Sequence, residues 1–524
     1  MKMRRTLFFL FLAVLPAAVF AQSPKAIWCE GNATLYFVYD SNTYTAGDTY
    51  TDDDGIANTI TNVYSAWGYY TNLQSRPFHS ISTSVEYVDF QNSFKGFYPV
   101  NMNYYFNSFT KMKEMKHAGN LSTDNVTSFA YTFQNCPNIT TIDVSNWNTS
   151  NVTTFQRIFT GCYKLAYLDV KGWNTRKATN LWQAFASTNL RHLTFGKDFS
   201  IDKVPQNAAL SAFQWTNSLR YIDFSDNDNT DLIKEVNRNS NLFAGVNRTT
   251  VIYLPHGSTS VTNAENVVYS YNGDETDLRC PKYYSEDKTE VELPYAFRTN
   301  EAVYTRTMGN NNYGSVILPY DFTSNENIQA YTLDDEYPNQ MFFKNTTTVA
   351  AHTPFAFKRL STGTTADFTM TDTGNAFGIT VNATRSTNAS EDTWTDGKGS
   401  PYTTQTNLDG WTAKGYYENE SVAEYDGAFY IASDKFYKAD GALTMYPHRV
   451  TFHGRWTKGG DSAGVRALGI QTDDELVTAI DAAEASMCEA SEIYNAQGHR
   501  LPTLRRGVNI VRMSDGTVRK IIRK

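Results

Sequence analysis

Apolar residues at Val126, Phe129, Phe133 and Cys136 stand three, four and three apart, the spacing that lines one face of a short helix. The pattern then changes. Ile139, Ile142 and Val144 follow with the alternation of a short strand, and Trp147 closes the unit. The same skeleton returns as Val152, Phe155, Phe159, Cys162, Leu165, Leu168, Val170 and Trp173, each residue 26 positions after its counterpart. Weaker strand copies flank these two, at Val85–Val88–Phe90, Met112–Met115–His117, Leu190–Leu193–Phe195 and Leu219–Ile222–Phe224, with a frayed copy ending at Ile252 and Leu254. Starts at 85, 112, 139, 165, 190 and 219 give intervals of 27, 27, 26, 25 and 29, the drift of coils that tolerate loop insertions.

One such unit buries too few side chains to offset the ordering of its backbone, so the repeat predicts stacking. The L-x-x-L-x-L strand element is that of a leucine-rich repeat. The fold expected over 85–256 is therefore a leucine-rich-repeat solenoid, with a short strand and a short helix in every coil. Residues 22–84, with the alternating "ATLYFVYDSNTY" and the turn "GDTYTDDDG", are expected to form a strand-rich N-terminal cap. Residues 257–290 are expected as a linker. Strand-like runs separated by Gly, Asn, Asp and Pro over 291–465 predict an antiparallel β-sandwich. A partly helical linker over 466–490 and a β-hairpin tail over 491–524 complete the chain.

The stretch "NVTSFAYTFQNCPNITTIDVSNWNTSNVTTFQRIFTGCYKLAYLDV" resembles the BspA-like leucine-rich repeat surface proteins of bacteria. The shared features are Asn-Val-Thr at 125–127 and 151–153, Phe-x-x-Cys at 133–136 and 159–162, and Ile/Leu-Asp-Val at 142–144 and 168–170. The lead-in at Ser84–Phe94 and the exit "VIYLP" are similar as well. The chain departs where the family usually has Met before Phe, since Thr132, Ile158 and Ala184 stand there. The resemblance implies a surface or secreted protein that binds host or bacterial partners. The tail "IYNAQGHRLPTLRRGVNIVRMSDGTVRKIIRK" looks like the C-terminal segments of secreted Bacteroidetes-type proteins; it reads either as a sorting signal or as a small hairpin with a solvated basic face.

Composition sharpens the compartment. Lys2, Arg4 and Arg5 precede the apolar run "TLFFLFLAVLPAAVF", and small residues at Val19–Ala21 offer a cleavage site, so residues 1–21 read as a secretory signal peptide. After cleavage no transmembrane segment is expected. Five cysteines in the mature chain are too few for a disulfide scaffold, and their number is odd. Cys136 and Cys162 share an inward column, as buried thiols or as a bridge between adjacent coils. A net charge of -8 disfavours nucleic acid as a partner.

Candidate chemistry is sparse. "GDSAG" at Gly460–Gly464 fits G-x-S-x-G and "VAAHT" precedes it with His352, but Ser462 lacks the strand–turn–helix setting that a nucleophile elbow needs. His448 and His453 stand five apart, on opposite faces of a strand. No catalytic residue, metal or cofactor is expected. What remains is surface. The third and fifth positions of each strand element face outward, and the candidate binding face comprises Tyr87, Tyr167, His192 and Tyr221 with Asp143, Asp169 and Asp223. The expected function is adhesin-like recognition of a protein or glycan ligand on host or neighbouring bacterial cells, without catalysis. A secreted glycan or protein hydrolase with docking repeats, and a self-associating surface-structural protein, are the alternatives.

Overall fold

The structure is a computed structural model. It describes residues 21–227 apart from 69 and 206–210, residues 241–384 apart from 257, 259–263, 334–342 and 375, and the segments 405–406, 412–422, 428–438, 443–453, 467–469, 490–495, 499–501, 507–513 and 518–523. Residues 1–20 of the expected signal peptide, Cys488 and Ser462 thus lie outside the described residues. Among the described residues the chain is strand-rich, and its helical turns are short 3-10 turns. It divides into two compact units, Met1–Leu219 with Asp223–Asn247, and Arg220–Ile222 with Arg248–Lys524.

The first unit opens on an antiparallel pair, Ser23–Cys29 against Thr34–Asp40, with Asn62–Ser65 on the outer side of the former. Thr34–Asp40 also runs parallel to Tyr87–Phe90, which in turn runs parallel to Glu114–Lys116. The strands of the N-terminal region therefore continue directly into those of the repeats.

Every apolar position of the repeat faces inward: Val126, Phe129, Phe133, Cys136, Ile139, Ile142, Val144 and Trp147 are all buried, and so are their counterparts from Val152 to Trp173. The Phe133 position forms a stack of rings. Centroids of Phe106, Phe133, Phe159, Phe185, Phe213 and Phe243 follow one another at 5.3, 5.6, 6.1, 5.5 and 6.0 Å.

The short helix expected in each coil is not formed. The N–H groups of Phe129, Tyr131, Phe133 and Asn135 donate instead to the carbonyls of Thr154, Gln156, Ile158 and Thr160 one coil on, at 3.0, 2.8, 2.8 and 2.8 Å. Those of Phe155, Arg157, Phe159 and Gly161 repeat this toward Asn180, Trp182, Ala184 and Ala186. An α-helix would consume these donors internally. The intervening Thr132 and Gln134 close local turns onto Phe129 and Tyr131. Alternating the two uses requires positive φ twice per coil, at Tyr104/Ser108, Tyr131/Asn135, Arg157/Gly161, Gln183/Ser187 and Ser211/Trp215. The threonine of Asn-Val-Thr now has a reason. Thr127 and Thr153, and Thr179 after them, each donate both N–H and hydroxyl to the carbonyl of the corresponding residue one coil back, Val100, Thr127 and Thr153.

Cys136 and Cys162 are free thiols, so no bridge joins them. Each Sγ donates to a carbonyl of the preceding coil, Phe106 at 3.1 Å and Phe133 at 3.2 Å. Burial pushes the Cys136 thiol up to about 12 and that of Cys162 well above the ordinary range. Both should resist alkylation in the native protein and react after denaturation. Mass spectrometry after a native iodoacetamide pulse checks this, and rapid labelling of either would put the column outside the core.

The second unit corrects several expectations. Residues 257–290 are not a linker: Val267–Ser270 and Leu278–Glu286 are antiparallel strands within them. The expected purely antiparallel pairing also fails, because Leu278–Glu286 and Phe297–Thr307 run parallel over seven registered pairs. A parallel pair needs a crossover. Residues 287–296 supply it, held down by the buried Val291 and Leu293.

Two further sheets repeat one topology. In one the order is Tyr313–Val316, Phe355–Arg359, Ile328–Leu333, Phe343–Thr346; in the other the four middle strands run Thr412–Tyr416, Arg449–His453, Ala428–Ala432, Lys435–Lys438, with Gln405–Thr406 at the first edge. A two-stranded ribbon accompanies each, Phe322–Thr323 with Thr348–Val349 and Glu420–Val422 with Leu443–Met445. The unit thus contains one strand arrangement twice. Gly415 sits where the two approach, since a Cβ there would stand 2.4 Å from Ile317 Cδ1. Within 466–490, Ala467–Gly469 is a strand on Lys435–Lys438, while the rest of that expected linker lies outside the described residues. The tail is more than a hairpin. Ala490–Asn495, Arg500–Leu501, Gly507–Met513 and Val518–Arg523 form a four-stranded antiparallel sheet.

Candidate functional site

The outward strand positions do not make one uniform surface. Tyr167 is 39% exposed, and its ring meets His192 edge-on with centroids 5.8 Å apart. Thr141, one coil back, is bridged in parallel to Tyr167. Thr141 and Asp143 are exposed, Asp169 and His192 partly so. These residues form a continuous strip on backbones fixed by the stacking.

The aspartates have a local task. Asp143 Oδ1 accepts from the Ser145 N–H and hydroxyl at 3.1 and 2.6 Å, Asp169 Oδ1 from the Lys171 N–H at 3.0 Å, and Asp223 Oδ1 from the Ser225 N–H at 2.8 Å. Such i-to-i+2 bonds close the turn after each strand. One oxygen of each exposed carboxylate is thereby held, which fixes where the group points.

Three of the expected face residues fall elsewhere. Tyr221 is 4% exposed and packs edge-on against Tyr253 in the core of the second unit, and Asp223 is 3% exposed. Period-two alternation puts a residue on a face but cannot say whether that face is covered. Tyr87 is half-buried beneath Lys113 and Lys116, whose ammonium groups stand 5.7 and 5.1 Å from its ring centre. It is a cation–π platform for its own neighbours.

Other surface aromatics lie outside the strand element. Tyr163 is 64% exposed and Trp215 57%. Along the positive-φ positions, Tyr104 stacks on Tyr131 at 4.6 Å and 8°, Arg157 lies 4.3 Å over Trp182, and Arg157 Nε donates to Gln183 Oε1 at 2.8 Å. Bulky side chains at positive φ carry a backbone cost. Their recurrence at one register was the available signal, and a helical reading of the segment hides it.

Of the catalytic motif only His352 lies among the described residues. His352 is partly buried, its Nδ1 lies 2.8 Å from the Tyr417 hydroxyl, and burial lowers its pKa. His448 is fully buried on the turn before Arg449–His453 rather than within a strand. No helix among the described residues is long and apolar enough to cross a membrane.

Residues 100–210 are similar to the family described as "Mycoplasma protein of unknown function, DUF285". That span contains the threonine ladder and most of the ring stack. No curated protein matches the chain. Among solved structures, a leucine-rich repeat protein from Eubacterium ventriosum is similar at 10% identity, over 51% of this chain and 77% of that one, with a TM-score of 0.22.

Proposed function

We propose that this chain is a secreted or surface-displayed, non-catalytic recognition protein whose repeats form a leucine-rich-repeat-type solenoid. Its ligand is a protein or glycan on a host or neighbouring cell. The reading is supported by the coil-to-coil hydrogen bonds, which hold exposed side chains at fixed spacing. The observation that carries it is the Tyr167–His192 pair, an exposed ring braced edge-on beside the turn-fixed Asp169. A rigid aromatic offers large contact area at little entropy cost, and a positioned carboxylate adds polar selectivity.

The test is binding of the signal-less protein to matrix proteins, mucin and glycans, followed by Tyr167→Ala and Asp169→Ala. Each should weaken the ligand found by more than ~1 kcal/mol, as central interface residues do. Stability should change by no more than about 0.5 kcal/mol for the exposed tyrosine. Wild-type affinity in both variants would move recognition to the Tyr104–Tyr131–Arg157–Trp182 ridge.

A further inference from the structure

Asp52, Asp53 and Asp54 follow one another in the turn between Thr49–Thr51 and Ala57–Thr59, and each does something different. Asp52 is 8% exposed. Its Oδ1 accepts from the N–H groups of Asp54 and Ile56, and its Oδ2 from the Tyr36 hydroxyl at 3.1 Å. Asp53 fastens the turn to the end of the Tyr87–Phe90 strand. Its N–H donates to Gln91 Oε1 at 2.7 Å, and its Oδ2 accepts from the Asn92 N–H. The third carboxylate is delivered to a different place. One ligand atom each of Asp54, Asp89 and His117 lie within 4.8 Å of one another.

These three residues come from three segments with fixed backbones. Asp89 is on the first repeat strand and only 2% exposed, with Oδ1 2.8 Å from His117 Nδ1. His117 follows the second repeat strand at φ 51°, and Asp54 caps the N-terminal turn. Asp89, Asp54 and Asp53 all act on the His117 imidazole, and Asp52 in turn acts on Asp89. Lys116 is the nearby cation, and its ammonium lies over the Tyr87 ring. Gln91 adds a second observation. It follows the Tyr87–Phe90 strand directly, two residues after Asp89, and is 1% exposed. Its head group lies at the amide of Asp53, next to Asp54, and its Nε2 has no hydrogen-bond partner. A buried amide donor left without an acceptor, on a side chain bonded to the residue before Asp54, is a group that a ligating carboxylate's second oxygen would satisfy.

We propose that Asp54, Asp89 and His117 form a divalent-metal site for zinc, which fastens the N-terminal turn to the first two repeat strands. One imidazole nitrogen with two carboxylate oxygens is a zinc donor set that leaves a fourth position for water. Calcium takes six to eight oxygens and no nitrogen, so it fits less well. The ion is captured by the native arrangement alone, because the three ligands are far apart in sequence, and binding therefore raises stability by mass action.

The experiment uses the full chain after chelator treatment, with isothermal titration of zinc and, separately, of calcium. Thermal denaturation with and without each ion accompanies it. Zinc should bind at one equivalent sensitive to Asp54 and raise the melting temperature. Asp54→Asn is the decisive variant, since the residue is exposed and its loss leaves the Asp52 and Asp53 anchors in place. It should weaken zinc by at least about tenfold, a loss that even outer-shell partners of zinc ligands cause. His117→Ala should do the same. The proposal is overturned if zinc does not bind, if Asp54→Asn and His117→Ala bind it as the parent does, or if calcium binds more tightly than zinc through Asp54.

Discussion

Phe159→Ala should destabilise the first unit by about 3–5 kcal/mol, the range for emptying a buried aromatic site. Phe159 is completely buried. Its ring lies between Phe133 at 5.6 Å and Phe185 at 6.1 Å, with Trp173 at 6.3 Å beside it. Removing it strips contacts from the coil before and the coil after, which are the contacts that hold a stacked repeat together. The backbone cannot close the gap, because the N–H of Phe159 is bonded to Ala184 one coil on. Phe243→Ala should cost less, since Phe243 is half-buried and the stack of described rings ends there. Tyr163→Ala should stay within about 0.5 kcal/mol. Urea denaturation followed by tryptophan fluorescence reports on this directly, because Trp147 and Trp173 are buried against the same rings. A loss below ~1 kcal/mol for Phe159→Ala would mean that the ring column is not the core of the repeat.

That column was legible in the sequence because burial selects residue type position by position, and the 26-residue interval exposes the selection twice. The conformation joining the positions was not. Spacings of three and four fit one face of a helix, and they equally fit a turn ladder whose alternate N–H groups reach the next coil. The discriminating marks were small: Asn135 and Gly161 at the same register, residue types that tolerate positive φ. Tyr131 and Arg157 at the other positive-φ register gave no such hint. The parallel pair in the second unit was hidden for a related reason, since strand-like runs carry no record of direction. The duplicated strand order was hidden because pairing partners lie far apart in sequence. For the candidate face, alternation placed Tyr167 and Asp143 outward correctly. It failed at Tyr221, where the core of the second unit takes up the ring. The Asp54–Asp89–His117 grouping could not be read at all, because its members are 35 and 28 residues apart and belong to three different elements.

Lowering the pH from about 6.5 to about 4 should remove ~3 kcal/mol of stability from the second unit through His448 alone. The ring is fully buried on a turn at φ 60°. Its Nδ1 lies 2.8 Å from the Ile317 carbonyl, which can only accept, so Nδ1 carries the proton and donates. Nε2 is then a bare lone pair with no partner. The ring faces Tyr304 at 4.3 Å and Tyr417 at 5.7 Å, and the charged groups around it are Arg449, Asp287 and Arg306. Burial dominates. Together with the two arginines it outweighs the opposing pull of the Ile317 carbonyl and Asp287, bringing the pKa from 6.5 down to about 4. The folded value is depressed, so between the two pKa values the unfolded chain binds a proton that the native protein refuses. The stability is complete above the unfolded value and falls with pH through that window. His352, also lowered by burial, acts in the same direction. His448→Asn separates this contribution from the carboxylates that titrate nearby. Asn tolerates positive φ and keeps an amide donor for the Ile317 carbonyl, but it cannot titrate. The variant should be less stable than the parent near neutral pH, for want of the ring packed on Tyr304, and the difference should shrink as the pH falls. Urea denaturation of both proteins at several pH values measures that difference, and a gap that stays constant across the window would show that His448 does not carry the acid sensitivity.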